Sequence, residues 1–181
     1  MPPAKVQAKF VDPMLLLRTD KLPDRDGWLY ELKLDGFRAI AFKTGGKVHL
    51  RSRNNKDFTT KYPAIVKALA PMPDETAIDG EVVALEAGRP SFNALQNYAP
   101  SGALFYYAFD VMIAAGKDVM AQTLEARREI LLDRVLCKLA DPIRQSPSLH
   151  RPLALPLSTE ADTNIARTSI GGDECLGLVT S

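Results

Sequence analysis

Three consecutive segments near the front of the chain combine β-rich composition with partial alternation of apolar and polar side chains. They are Trp28-Leu29-Tyr30-Glu31-Leu32-Lys33-Leu34, Phe37-Arg38-Ala39-Ile40-Ala41-Phe42 and Val48-His49-Leu50-Arg51. Thr44-Gly45-Gly46-Lys47 turns the chain into the third, so this stretch predicts an antiparallel strand system. Ahead of it, Val6 to Asp26 is a proline-punctuated lead-in whose apolar knot, Met14-Leu15-Leu16-Leu17, is expected to pack against the body. Pro63 to Ala70 predicts a short helix: proline suits the first helical position, and Ile65, Val66 and Leu69 share a face. Ala77 to Leu85 predicts a strand, residues 86–90 a turn, and Ser91 the cap of a helix carrying Phe92, Leu95 and Gln96. Leu104 to Val111 is apolar on both faces and is expected to lie centrally in its sheet. Thr123 to Leu139 carries a helical stripe of Leu124, Leu131, Val135 and Leu139, with Glu125, Arg127, Arg128 and Glu129 placed elsewhere on the helix. Beyond residue 140 the periodicity fades, with a short strand expected at Cys175 to Val179. The fold class is α+β, with antiparallel sheets flanked by helices.

At 181 residues and 46% apolar content, the chain can bury one sizeable core. Its longest unbroken apolar run, Ala103 to Phe109, is far too short for a helix to cross a bilayer core of about 30 Å. Met1-Pro2-Pro3-Ala4-Lys5 lacks the apolar centre of a secretory signal, so no membrane partner and a cytoplasmic location are expected. Cys137 and Cys175, with His49 and His150, stand in no metal-binding spacing. The net charge of +1 hides an asymmetry, because residues 1–61 hold 13 Lys and Arg against 7 Asp and Glu. A polyanionic partner is expected on this first third, where Arg51, Arg53, Lys56 and Lys61 cluster, although such a cluster also suits a merely solvated loop.

Asp35-Gly36 between two apolar runs has two readings. It is a strong signal for a tight hairpin turn. It also places Lys33 and Asp35 on one face of an extended backbone, beside a glycine that lets a ligand approach the chain. A lysine in that setting can attack phosphorus once neighbouring cations or burial lower its pKa from about 10.4. Glu81, on the second segment with an Asp-Gly pair, is the natural contact for a metal or a ribose.

The residues resemble the covalent nucleotidyltransferases, whose first motif is Lys-x-Asp-Gly-x-Arg. Lys33, Asp35, Gly36 and Arg38 match it at each fixed position. Ser52-Arg53-Asn54, Asp79-Gly80-Glu81 and Phe109-Asp110-Val111 are similar to the later motifs and follow in order. Pro90-Ser91-Phe92-Asn93-Ala94-Leu95-Gln96 extends the similarity to bacterial ATP-dependent DNA ligases of the end-joining type, over about residues 10 to 146. The resemblance implies a nucleotidyltransferase adenylation domain with an ATP-grasp-like fold. It also implies that Lys33 takes AMP from ATP with Mg²⁺, that Glu31 and Leu32 line the nucleotide site, and that Arg38 and Arg53 meet the sugar-phosphate. Glu81 would hold ribose or metal, and Phe109 would stack on the base. The AMP then passes to a DNA 5′-phosphate, with Arg51, Arg53, Lys56 and Lys61 on the DNA backbone and end-joining proteins as further partners.

From about residue 149 the chain departs from this pattern. The family continues with Glu-Gly-Leu-Val-x-Lys, a further lysine motif and an OB-fold domain; here the matching stretch is Leu176-Gly177-Leu178-Val179-Thr180-Ser181. The expected organisation is an adenylation domain over 1–148, incomplete at its C-terminal side, a divergent tail over 149–181, and no OB-fold domain. Two function classes follow. One is a DNA ligase catalytic domain acting in DNA repair and recombination with reduced activity. The other is a non-catalytic remnant that binds nucleotide or DNA. A shortened strand in the tail would leave a sheet edge open and the fold marginally stable.

Overall fold

The computed structural model describes residues 5–14, 29–31, 34–97, 103–149 and 178–179. Strand β1 (Leu29–Glu31) is followed by β2 (Phe37–Thr44) and β3 (Lys47–Ser52), joined by Gly45 and Gly46, both at positive φ. Asp35-Gly36 is not a hairpin turn. β1, which ends at Glu31, and β2, which begins at Phe37, belong to different sheets. A local turn signal could not reveal this, because partner choice is set by distant strands.

Helix α1 (Pro63–Ala68) leads to β4 (Thr76–Glu86), which turns into β5 (Arg89–Pro90). Helix α2 (Phe92–Asn97) follows, and Ser91 Oγ accepts the Ala94 N–H at 3.2 Å, so the cap falls where the sequence puts it. β6 (Ala103–Ala114) and β7 (Lys117–Asp118) come next. Helix α3 (Leu124–Ile130) continues as a π-wound turn at Leu131–Val135 and a 3₁₀ turn at Leu136–Lys138, so the helix expected over 123–139 is present but changes winding twice. β8 (Ile143–Gln145), β9 (Ser148–Leu149) and β10 (Leu178–Val179) complete the described elements.

Among the described residues the larger sheet runs β3-β2-β4-β6-β7, with β5 on β4 and β8 on β6. Its pairs are antiparallel except β8, which lies parallel to β6. β6 is therefore central, as its two-sided apolar pattern requires. The smaller sheet is β10-β1-β9, with Leu29 opposite Val179 and Tyr30 opposite Leu178. The ladder of β4 on β6 is irregular at two places: Gly80 faces Ala108 while Asp79 faces Asp110, and Ile78 faces Val111 while Ala77 faces Ile113. Phe109 and Met112 are the additional residues of two β-bulges.

Alternation along β2 and β4 gives the sheet two apolar faces. Ala39, Ala41, Ile78, Val82 and Ala84 pack with Ile65, Leu69, Leu95, Leu131 and Val135 of the helical layer. Ile40, Phe42 and Ala77, with Met112 and Ile113 of β6, are covered instead by the lead-in, through Ala8, Phe10 and Val11. The knot residues 15–17 lie outside the described residues. Among the described residues no helix is long and apolar enough to cross a membrane.

Glu75 fastens the lead-in to the sheet. Its carboxylate accepts the Ala8 N–H at 2.6 Å, the Thr44 hydroxyl at 3.0 Å and the Gly45 N–H at 3.3 Å. The Ala8 N–H holds its pKa below the ordinary carboxylate value, opposed by desolvation and helped by the Thr44 hydroxyl. A carboxyl lowered on folding stabilises the native state above its unfolded pKa and loses that contribution as pH falls through the folded value. Urea unfolding between pH 6 and pH 3 is expected to show Glu75→Gln less stable than the parent at pH 6, with the gap closing toward pH 3. A gap independent of pH would contradict this.

Candidate nucleotide-transfer site

Arg38 sits opposite Glu81 in the register of β2 and β4. Side chains directly opposite in an antiparallel pair share a face. The Arg38 guanidinium makes a two-pronged pair with Asp79, Nε to Oδ1 at 3.2 Å and Nη2 to Oδ2 at 2.7 Å, and its Nη1 donates to the Met14 carbonyl at 2.7 Å. Its planar fork also lies 5.4 Å from the centre of the Phe109 ring, which the first bulge of β6 displays. Asp79 is buried, and that burial pushes its carboxyl pKa up, with the Arg38 hydrogen bonds working in the opposite direction.

Beside this pair opens a cleft of about 380 Å³. Its polar lining is Arg38, Ser52, Arg53, Asn54, Lys56 and Glu81, with Gly36, Phe37 and Phe58 completing the wall. The loop after β3 delivers four of these residues. Ser52 Oγ accepts the Lys56 N–H at 3.0 Å, Ser52 N–H donates to the Lys56 carbonyl at 2.9 Å, and Asn55 takes the positive φ that closes the turn. Gly36 is required on steric grounds. A Cβ there would lie 2.3 Å from the Val82 carbonyl oxygen and 2.9 Å from Glu81 Cγ, so only glycine lets the crossing segment lie against β4.

A second group of contacts comes from α3 and differs from the sequence reading. Arg128 is buried; its Nη1 donates to Glu31 Oε1 and its Nη2 to the Ser146 carbonyl at 3.2 Å. Arg127 forks onto Asp110, at 2.8 and 2.9 Å, and also donates to the Gln122 carbonyl at 2.6 Å. Desolvation raises the Glu31 pKa, opposed by Arg128 and its hydrogen bond. The signal was present in the spacing: Leu124, Arg128, Leu131 and Val135 are four, three and four apart, so Arg128 belongs to the apolar stripe and not to the remainder of the helix.

Of the residues singled out from sequence, Arg38, Arg53, Lys56 and Glu81 line one cleft, Phe109 adjoins Arg38, and Glu31 is held by Arg128. Arg51 and Lys61 are placed differently: Arg51 Nη1 pairs with Asp57 at 3.8 Å, while the Lys61 ammonium lies 4.8 to 5.5 Å from the ring centres of Phe37, Phe58 and Tyr62. Leu32 and Lys33 lie outside the described residues.

Residues 13–163 match the family described as the ATP dependent DNA ligase domain. The chain belongs to that family. The multifunctional non-homologous end joining protein LigD of Pseudomonas aeruginosa is 40% identical over 132 residues, which cover 70% of this chain and 16% of that protein. The SPbeta prophage-derived DNA ligase-like protein LigB of Bacillus subtilis is 34% identical over 127 residues, 67% of this chain and 46% of the relative. Among solved structures, a mycobacterial DNA ligase D complexed with ATP and MES superposes with a TM-score of 0.57 at 26% identity, covering 81% of this chain and 46% of that one. The chain thus spans less than half the length of each of these relatives. The ligase family's mixed sheet with flanking helices is the architecture described above, and the α+β expectation holds, with β8 its one parallel strand among the described residues.

Proposed function

We propose that this ligase-family chain takes AMP from ATP onto Lys33 and passes it to a DNA 5′-phosphate in strand joining. The observation that supports this most strongly is convergence. Arg38, Ser52, Arg53, Asn54 and Glu81, drawn from three motifs separated by up to 43 residues, line one cleft, and Phe109 of a fourth lies against Arg38. In the first step the Lys33 amine, having lost a proton to solvent, forms a P–N bond to the α-phosphorus, and the bond to pyrophosphate breaks. Arg38, Arg53 and Lys56 offset negative charge gathering on the phosphates. The half-buried Phe109 ring offers a stacking surface for the adenine.

The donor set suits Mg²⁺. This ion is commonly held by one or two carboxylates with substrate phosphates and water, and Glu81 lines the cleft together with Arg38, Arg53 and Lys56. Asp79 and Asp110 are engaged by Arg38 and Arg127, and the described residues hold no group of three or more ligand side chains that would make a dedicated protein cage. Mg²⁺ bound at Glu81 would supply charge neutralisation for the phosphates. Arg53 and Lys56 also supply sequence-independent contacts to a DNA backbone, which weaken with salt. The relatives' naming for end joining makes DNA ends, with end-joining proteins, the substrate context we favour.

Incubation with α-labelled ATP and Mg²⁺ is expected to leave a covalent label on the parent chain and none on Lys33→Ala. A parent chain without label at any Mg²⁺ concentration would sink this reading. Binding without label would move it to a nucleotide- or DNA-binding remnant.

A further inference from the structure

We propose that Arg128 is a positioning residue for the transfer step: by holding Glu31, it fixes the near end of the segment that carries Lys33. The inference rests on the transferase reading above. It starts from the crossing between the sheets. β1 ends at Glu31 in one sheet and β2 begins at Phe37 in the other, with five residues between them in sequence. At the far end the crossing is fixed by Gly36 against the Val82 carbonyl and by Arg38 on Asp79. At the near end the described side-chain anchor is the pair between Arg128 and Glu31, two residues before the lysine. Arg128 also donates to the Ser146 carbonyl, between β8 and β9, so one guanidinium ties together α3, β1 and the connection leading to β9.

The adjacent arginine performs a separate task. Arg127 holds Asp110, the residue that follows Phe109 out of the bulge. The two arms of α3 therefore act on different partners of the reaction. Arg127 steadies the surface offered to the nucleotide, and Arg128 steadies the nucleophile's segment. Misplacing a reacting group by about 1 Å can cost on the order of 100-fold in rate without weakening ground-state binding.

Single-turnover labelling at graded ATP concentrations separates these roles in the full chain. Arg128→Gln is expected to slow label formation at saturating ATP by about 100-fold while the half-saturating ATP concentration changes less than about threefold. Arg128→Lys, which keeps the charge but not the fork, should fold and fall between the two. Arg127→Gln is expected to show the opposite split, with weaker apparent ATP affinity and a smaller change in the saturated rate. If Arg128→Gln does not fold, Arg128→Lys decides alone: a wild-type saturated rate overturns the proposal. So does an Arg128→Gln protein that labels at the wild-type rate, or one that loses affinity and rate in proportion. A parent chain that takes no label overturns the transferase reading, and this inference with it.

Discussion

Arg38→Ala is expected to destabilise the fold by about 3–5 kcal/mol, because it strands the Asp79 carboxylate in a buried position. Asp79 retains only 5% side-chain exposure, and both of its oxygens meet the Arg38 fork. The same substitution removes the guanidinium from the cleft wall and from the Phe109 ring, and the link to the Met14 carbonyl. Stability and chemistry can be separated with a second change. Arg38→Ala combined with Asp79→Asn removes the stranded charge, so urea unfolding should recover a substantial part of the lost stability. On the proposed function, labelling by ATP should stay depressed by at least about 100-fold, since a cation lining the cleft is still missing. Recovery of both together would show that Arg38 serves the fold alone.

Gly80→Ala is the second large effect, and here the cause is space. Tyr106 is fully buried and crosses β4 at Gly80 so that its hydroxyl can donate to the Ala39 carbonyl at 2.9 Å on β2. A Cβ on residue 80 would sit 2.5 Å from Tyr106 Cζ, 2.7 Å from its hydroxyl and 2.6 Å from the Tyr107 carbonyl oxygen. Burial also keeps this phenol protonated, by raising its pKa well above the usual value, so it remains a donor. Overpacking and the loss of a buried hydrogen bond together are expected to cost about 3 kcal/mol or more. In a double-mutant cycle, Tyr106→Leu should be far less harmful in the Gly80→Ala background than alone. Strict additivity of the two changes would refute the crossing as the cause.

Much of this architecture is legible in the chain. The alternation at 37–52 and 76–86, the glycine turn at 45–46, the Ser91 cap and the central position of the strand before Val111 are local or near-local properties, and the structure carries each of them. The ordered motifs also contain residues that line one cleft. What the chain concealed was non-local. Asp35-Gly36 has the chemistry of a hairpin turn, yet its flanking strands find partners in separate sheets. Arg128 carries a charge, and charge normally marks the solvent side of a helix, but a buried carboxylate on β1 gives it a partner inside. Lys61 reads as a free cation from sequence, whereas three rings, Phe37 of β2 with Phe58 and Tyr62 of the loop between β3 and α1, lie about its ammonium. For Asp35-Gly36 the deciding partners lie far along the chain; for Arg128 spacing gives the buried face but not Glu31, and for Lys61 it gives Phe58 and Tyr62 but not Phe37.

The first bulge of β6 separates two demands that a regular strand would set against each other. Tyr106, Ala108, Val111 and Ala114 all reach the helical side, at intervals of two, three and three residues. Strike out Phe109, and Ala108, Asp110 and Val111 would fall into plain alternation with every inward side chain still in place. The buried layer therefore has no use for the ring. Phe109 is an insertion that the packing tolerates, and it engages Arg38. A position that the interior can do without is open to selection for what it touches outside, which makes the length of this strand as informative about function as the identity of the residue it accommodates.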